Sequence, residues 1–262
     1  MKKISWIIGL ALLILSGCSD DNEQGKATAP QKKQVASQQH APVDPKKDAG
    51  IWPPPQDGPK NQESILPADQ WTRKNYVMIL DGSGSMGDQR CSGNTTKNVV
   101  AQEAVMEWAQ SVPADAHLGL IVFDQKGFSV RLQIGQDRRQ QFIEQVQNVE
   151  PGSTTPLTQA VQTAYELLTD QARKQLGYGE YHMVIVTDGA ANLPEELTAE
   201  VNNVLAHSPI IISTIGFCIT TTHSLNQPGR TIYKAADNPE ALRQGLQDIL
   251  AESESFDDVT AF

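Results

Sequence analysis

The chain has 262 residues, enough for one or two domains, and carries 31 acidic against 21 basic residues, a formal net charge of -10. Sequence-independent nucleic-acid binding depends on basic patches, so this acidic balance argues against a nucleic-acid partner. It suits a soluble protein that attracts cations or basic partners, or one that simply has a well-solvated acidic surface.

The first 18 residues have the pattern of an export signal that ends at a cysteine. Two lysines open the segment, and an apolar stretch follows from Ile4 to Leu15. This stretch is shorter than the roughly 20 apolar residues of a transmembrane helix. The ending Leu-Ser-Gly-Cys resembles the lipobox of bacterial lipoproteins, which implies that residues 1–17 are a signal peptide and that Cys18 carries lipid. An ordinary signal peptide and a buried helix are the alternatives.

The resemblance to lipoproteins also implies a location. Acyl chains on Cys18 would anchor the protein to a membrane of the bacterial cell envelope. Ser19, and not an aspartate, follows Cys18. Under the sorting rule of enteric lipoproteins, this implies the outer membrane, with the protein facing the periplasm.

Residues 18–70 are expected to form the lipidated cysteine and a disordered tether. The stretch is rich in Gln, Lys, Asp, Ala and Pro and has few large apolar side chains. Such a composition buries too little surface to offset the entropy cost of ordering the chain. The exceptions are Ile51-Trp52 and Ile65-Leu66, which either dock on the folded domain or stay exposed to solvent.

From about residue 71, short apolar runs alternate with amphipathic stretches. Strands are predicted at residues 76–80, 118–123, 128–132, 183–186, 210–215 and 231–233. Helices are predicted at residues 101–108, 142–149, 157–168, 194–205 and 239–250. Strands that alternate with helices indicate a doubly wound α/β domain, with a mostly parallel central sheet flanked by helices on both faces. We expect this domain to span residues 71–252 and an acidic tail to span 253–262.

Polar loops follow two of the predicted strands, where ligands bind in sheets of this type. One reads Asp81-Gly82-Ser83-Gly84-Ser85 and the other Thr187-Asp188-Gly189, and a turn at 152–157 lies between them in sequence. Hard cations prefer such oxygen ligands, and the glycines are expected to let both serine hydroxyls face one ion. Because no histidine or cysteine accompanies them, Mg²⁺ or Mn²⁺ is expected and not zinc or copper.

This set of motifs resembles the metal-ion-dependent adhesion site of von Willebrand factor type A domains, over residues 72–252. The stretch 233–242 is similar to the last strand and helix of bacterial members. The resemblance implies five metal ligands: Asp81, Ser83, Ser85, Thr155 and Asp188. The serines would coordinate directly, Thr155 in at least one state, and the aspartates directly or through water. Thr154 is the alternative to Thr155.

The resemblance favours a binding module over an enzyme. A protein ligand that presents an acidic side chain would complete the coordination of the ion. A metal-dependent hydrolase or phosphatase-like enzyme is one alternative, and a structural subunit of an envelope complex is the other. The sequence has no nucleophile elbow and no phosphate-binding loop, and Ser83 stands where phosphatases of the Asp-x-Asp type need a carboxylate.

Cys91 and Cys218 are expected to form a disulfide. An exported chain meets an oxidising compartment, and both residues map to the ligand-bearing end of the predicted sheet. Two separate thiols are the alternative. His223 lies in a long loop after the fifth predicted strand, and we assign it no role.

Overall fold

A computed structural model describes residues 51–54, 65–189 and 191–255. The expected signal peptide, Cys18, most of the expected tether and the expected tail beyond residue 255 lie outside the described residues. The strands are β1 (Lys74–Asp81), β2 (His117–Asp124), β3 (Gly127–Gly135), β4 (Glu180–Thr187), β5 (Ile211–Phe217) and β6 (Ile232–Ala236). The helices are α1 (Lys97–Ser111), α2 (Arg139–Gln147), α3 (Leu157–Lys174), α4 (Pro194–His207) and α5 (Pro239–Ser255).

The six strands form one sheet in the order β3-β2-β1-β4-β5-β6. Every neighbouring pair is parallel except β2 and β3, which are joined as an antiparallel hairpin at one edge. The doubly wound, mostly parallel α/β fold expected from the sequence is therefore confirmed. The β1–β4 register pairs Leu80 with Val186, so Asp81 and Thr187 come next to each other where the two strands end.

Helices cover both faces of the sheet because alternate residues of the central strands face opposite sides. In β1, Met78 and Leu80 join a core closed by α1, α2 and α5. Val77 and Ile79 join a second core closed by α3 and α4. Every residue of β1 from Asn75 onward is buried, as the two-sided packing of a parallel sheet requires.

All five helices extend beyond at least one predicted limit, and at the start of α1 and the end of α5 local contacts account for the extension. The first, α1, begins at Lys97, where the side chain of Thr96 caps it by accepting a hydrogen bond from the Val99 amide. The last, α5, ends at Ser255, and so takes in the first residues of the expected acidic tail. Ser253 is buried and lies 3.1 Å from the Tyr76 hydroxyl, which explains why the helix continues there.

Part of the expected tether is docked on the domain. The Trp52 ring packs edge-on against Tyr181 with 4.7 Å between ring centroids, and Arg173 donates a hydrogen bond to the Pro54 carbonyl at 3.2 Å. Ile51 and Ile65 are exposed. Tyr181 stands at the start of β4, so this contact lies at the end of the sheet opposite Asp81 and Thr187. Among the described residues, no helix has the length and apolar character needed to cross a membrane.

Candidate metal centre

Asp81 lies at the buried bottom of the site. As the last residue of β1, it is fully shielded from solvent and is held from two sides. The Ser83 amide donates to its Oδ1 at 2.8 Å, and the Thr187 hydroxyl donates to its Oδ2 at 2.5 Å. Burial raises the pKa of the Asp81 carboxyl to about 6, although the bonds from Ser83 and Thr187 favour the charged form. A cation beside it would offset the cost of keeping this charge buried.

Hydrogen bonds connect three further candidate ligands, which are Ser83, Ser85 and Asp188. The Ser83 and Ser85 hydroxyl oxygens lie 3.2 Å apart, and the Ser85 hydroxyl donates to Asp188 Oδ1 at 2.7 Å. Ser83 is buried, whereas Ser85 is exposed. The structure therefore brings four of the five expected ligands into one hydrogen-bonded set that opens at Ser85.

The spacing of these oxygens suits a small divalent cation. Ligands at 2.0–2.1 Å in an octahedron stand about 2.9 Å apart when they are neighbours. The serine–serine and serine–aspartate separations of 3.2 and 2.7 Å bracket that value. In the described part of the chain no three or more His, Cys, Asp or Glu side chains form a metal-holding group. The donor set consequently depends on hydroxyls together with two carboxylates, which are the donors that hard cations accept.

Gly82 permits close packing beneath the loop. A Cβ at this position would lie 2.7 Å from Val149 Cγ1 and 2.8 Å from Asp124 Cβ. Neither Gly82 nor Gly84 is among the glycines with positive φ, so close packing, and not a left-handed conformation, accounts for the glycine at position 82. The backbone of Gly82 also accepts a hydrogen bond from the Gly152 amide at 2.8 Å, which ties the 152–157 turn to the first loop.

Thr155 lies on the neighbouring turn and is held there through its backbone. Its amide donates to Asn192 Oδ1 at 3.2 Å, and its carbonyl accepts from the Asn192 amide at 3.2 Å. Among the hydrogen bonds of the described residues, none joins the Thr155 hydroxyl to the set around Asp81. Thr155 is half-buried and Thr154 is exposed.

A third carboxylate at this end of the sheet is already neutralised. Asp124 ends β2 and is buried, and Arg131 lies 2.7 Å from its Oδ1. The Lys126 amide donates to the same oxygen at 2.8 Å. With these partners, Asp124 is a structural ion pair and not part of the candidate donor set.

Lys97 belongs to this site although the sequence motifs did not predict it. Its side chain is fully buried and its ammonium bonds Asp188 Oδ2, the carboxylate oxygen turned away from Ser85. The available signal was helical spacing, because the buried face of α1 continues from Lys97 through Ala101, Ala104 and Trp108. A lysine on such a face is seldom buried unless it is paired.

The expected disulfide between Cys91 and Cys218 is confirmed, with Cα atoms 5.8 Å apart. It connects the loop that follows Ser85 to the loop that follows β5. Both cysteines have positive φ, 63° and 62° respectively, a conformation that is uncommon outside glycine. The bond therefore fixes two irregular loops beside the candidate centre.

His223, to which the sequence assigned no role, is hydrogen-bonded to the loop that carries Asp188. Its Nε2 donates to the Gly189 carbonyl at 3.0 Å, and its Nδ1 accepts from the Leu225 amide at 3.2 Å. The ring also stacks on Tyr233 with 6.0 Å between centroids. Burial lowers the pKa of His223, which favours the neutral ring that this pair of bonds requires.

Several solved structures share this fold. The pilus adhesin SpaC from Lactobacillus rhamnosus GG aligns with a TM-score of 0.55 at 14% identity, over 69% of this chain and 30% of that one. A von Willebrand factor type A protein from Catenulispora acidiphila gives 0.55 at 18% identity, over 70% and 43%. Proximal thread matrix protein 1 from the mussel byssus, with a zinc-occupied metal-ion-dependent adhesion site, gives 0.56 at 15% identity, over 68% and 47%.

The chain spans less than half the length of each of these three proteins, and identities this low show a common fold only. A comparison with curated protein sequences gives no significant match. The profile of the von Willebrand factor type A domain matches residues 75–255, which is more than half of the chain and covers the elements from β1 to α5 apart from Lys74. The chain therefore belongs to the von Willebrand factor type A domain family.

Proposed function

We propose that the domain is a protein-binding module that engages an acidic side chain of its partner through a divalent cation. The residues that would hold the cation are Asp81, Ser83, Ser85, Thr155 and Asp188. A bound Mg²⁺ or Mn²⁺ would supply a coordination position for the partner's carboxylate. The observation that carries the proposal is the oxygen set itself: the hydroxyls of Ser83 and Ser85 are linked by hydrogen bonds to Asp188, and the Ser83 amide donates to Asp81.

The burial pattern leaves one side of the set accessible to a partner. Asp81 and Ser83 are buried, and Gly84 and Ser85 are exposed. The strands hold the deeper ligands in place, while the loop presents the outer ones to solvent. A protein that approaches from the Ser85 side can therefore reach the set without any rearrangement of the sheet.

An apolar groove beside Thr155 offers further contact area. It has a volume of about 300 Å³ and lies between the start of α3 and the loop that precedes α4. Its lining includes Thr155, Leu157, Asn192, Leu193 and Glu196. Leu193 is 55% exposed and adds apolar contact area to this groove.

The bonding of the same residues speaks against hydrolytic chemistry. The Ser85 hydroxyl donates to Asp188, and not to a histidine that could activate it. Both ring nitrogens of His223 are engaged with the backbone, at Gly189 and Leu225. Ser83 supplies a hydroxyl at the position where a phosphatase would need a second carboxylate.

Capture of partners from an envelope extract tests the binding proposal. The bait is the chain without residues 1–18, used with Mg²⁺, with chelator, and as the Ser83→Ala/Ser85→Ala double variant. We expect proteins that bind with Mg²⁺, are released by chelator, return with Mn²⁺ and fail to bind the variant. The same proteins retained after chelation would instead favour a structural role for the cation.

We also propose that Cys18 carries the lipid anchor and that the cation site faces away from the outer membrane, towards the periplasm. Trp52 and Pro54 lie against the amino ends of the strands, opposite the ligand loops. A tether that joins the domain there leaves the site free. Cys18→Ala should yield soluble or uncleaved protein without lipid label. A variant that stays lipid-labelled and membrane-bound at wild-type levels would contradict the anchor.

A further inference from the structure

The two oxygens of Asp188 have different partners. Oδ1 accepts a hydrogen bond from the Ser85 hydroxyl, on the side of the candidate donor set. Oδ2 is bonded by the ammonium of Lys97, and both side chains of this ion pair are fully shielded from solvent. Lys97 therefore turns Asp188 so that only one oxygen is available to a cation beside the serines.

The net charge of the buried side chains Asp81, Asp188 and Lys97 is small. Asp81 and Asp188 contribute two negative charges and Lys97 one positive charge, which leaves a net charge of about -1 when all three are ionised. Asp124 is balanced by Arg131 and does not alter this sum. When a divalent cation is bound, the net charge of the cation, the two aspartates and Lys97 is about +1. Without Lys97, the net charge of the cation and the two aspartates would be zero.

We infer that Lys97 is a built-in positive charge that weakens cation binding but keeps the cation-loaded site net positive, so that the loaded site attracts a carboxylate. The second half of this inference rests on the proposed function, because it assumes an acidic partner. The first half concerns Lys97 and the cation alone.

The burial of Lys97 strengthens its repulsion of a bound cation. Charges shielded from water interact through a low effective dielectric, so the ammonium opposes an added cation more strongly than an exposed lysine would. The same ion pair neutralises Asp188 whenever no cation is bound. Removing Lys97 would leave Asp188 as a buried, unpaired carboxylate, which is costly until another positive charge arrives.

The test uses Mn²⁺ as the probe, with the mature chain in its Cys18→Ser form and two variants of it. Lys97→Met removes the charge and keeps the length of the side chain, and Lys97→Arg keeps the charge. Electron paramagnetic resonance gives the Mn²⁺ affinity, and circular dichroism gives the melting temperature with and without Mn²⁺.

We expect Lys97→Met to bind Mn²⁺ about tenfold tighter or more, to melt lower than wild type without Mn²⁺, and to gain more from adding it. Lys97→Arg should stay within about threefold of wild type. If Lys97→Met does not fold alone, saturating Mn²⁺ should restore it. Equal or weaker Mn²⁺ affinity in a folded Lys97→Met, or failure of Mn²⁺ to restore an unfolded one, would overturn the inference.

Acetate tests the half that concerns the partner. Displacement of water from bound Mn²⁺ by acetate, followed by water-proton relaxation, should be several-fold weaker in Lys97→Met than in wild type. Equal acetate affinity would refute the role of Lys97 in attracting carboxylates while leaving its effect on the cation intact. Absence of Mn²⁺ binding by both wild type and Lys97→Met would instead count against the proposed function.

Discussion

The Thr187 hydroxyl donates a hydrogen bond to Asp81, with 2.5 Å between Oγ1 and Oδ2. Thr187 Oγ1 also accepts a hydrogen bond from the Gly189 amide at 3.3 Å. A single buried hydroxyl thus joins the end of β4 to the end of β1 and to the turn that carries Asp188. Thr187 bonds the candidate ligand Asp81 and is not itself a candidate ligand, so its role would be to position the Asp81 carboxylate.

Replacing Thr187 by valine should weaken Mn²⁺ binding about tenfold, because a buried carboxylate would lose a donor of its charged form, a change of roughly 1–3 kcal/mol. Thr187→Ser keeps the hydroxyl and should retain most of the affinity. Calorimetric titration of the two variants measures the difference. Equal affinity in Thr187→Val and wild type would show that Asp81 needs no such positioning.

The double variant Ser83→Ala/Ser85→Ala should lose Mg²⁺ and Mn²⁺ binding while remaining folded. It removes two oxygens from one side of the candidate set and leaves the strands untouched. Ser111→Ala is the matched control, because Ser111 is exposed at the end of α1 and its hydroxyl bonds Glu107 of that helix and Gln247 of α5, not the candidate set. Titration calorimetry with circular dichroism decides the matter. Unchanged cation affinity in the folded double variant would refute the site.

The sequence predicts the sheet and the ligand loops well because both depend on local signals. Apolar runs that end in Asp81 and in Thr187 identify central strands, and in parallel strands such ends meet at one edge. Lys97 was not predicted because its role depends on a partner 91 residues away in the chain. The docking of Trp52 was left open for a similar reason: composition describes the average behaviour of a tether and not one ring that meets Tyr181.

Gly82→Ala should destabilise the domain by about 1–3 kcal/mol, the usual cost of overpacking. The added Cβ would come within 2.7 Å of Val149 and 2.8 Å of Asp124, and it would also press on the backbone of β2. Gly84→Ala is the matched control, because the nearest atom to its Cβ is the Ser153 carbonyl oxygen at 3.7 Å. Urea unfolding compares the two. A loss of stability equal in both would mean that close approach at Gly82 is not the cause.

His117 should make the domain less stable as the pH drops below 6.5, whereas protonation of Asp81, whose folded pKa is raised, acts in the opposite direction. Burial lowers the pKa of His117 from 6.5, and Arg73 adds to the effect. The unfolded chain therefore binds a proton at a higher pH than the folded one does. The resulting stability is present above pH 6.5 and is lost as the pH falls towards the folded pKa.

His117→Gln removes this titration, so the variant should lose less stability than wild type between pH 7 and pH 5. His117 lies at the start of β2, at the end of the sheet opposite the candidate centre, and Asn75 Oδ1 lies 2.9 Å from its Nδ1. Urea unfolding at several pH values gives the two slopes. Parallel slopes for variant and wild type would show that His117 has the same pKa in both states.

The disulfide should stabilise the folded domain through the unfolded state. Cys91 and Cys218 are separated by 127 residues, so the bond closes a long loop in the unfolded chain. The chain-entropy model gives about 4–5 kcal/mol as an upper limit for such a loop. Cys91→Ser/Cys218→Ser should therefore unfold at lower urea and should match wild type measured with reductant.

The double serine variant also tests whether the bond affects the candidate centre. Cys91 follows the loop of Ser85, and Cys218 follows β5 at the same end of the sheet, so release of the bond frees the loop on one side only. Asp81 and Asp188 remain held by the strands and by Lys97. We therefore expect the Mn²⁺ affinity of the variant to fall by less than about tenfold. Its free energy of unfolding should fall by up to about 4–5 kcal/mol. Complete loss of Mn²⁺ binding in the folded variant would mean that the disulfide, and not the sheet, positions the serines.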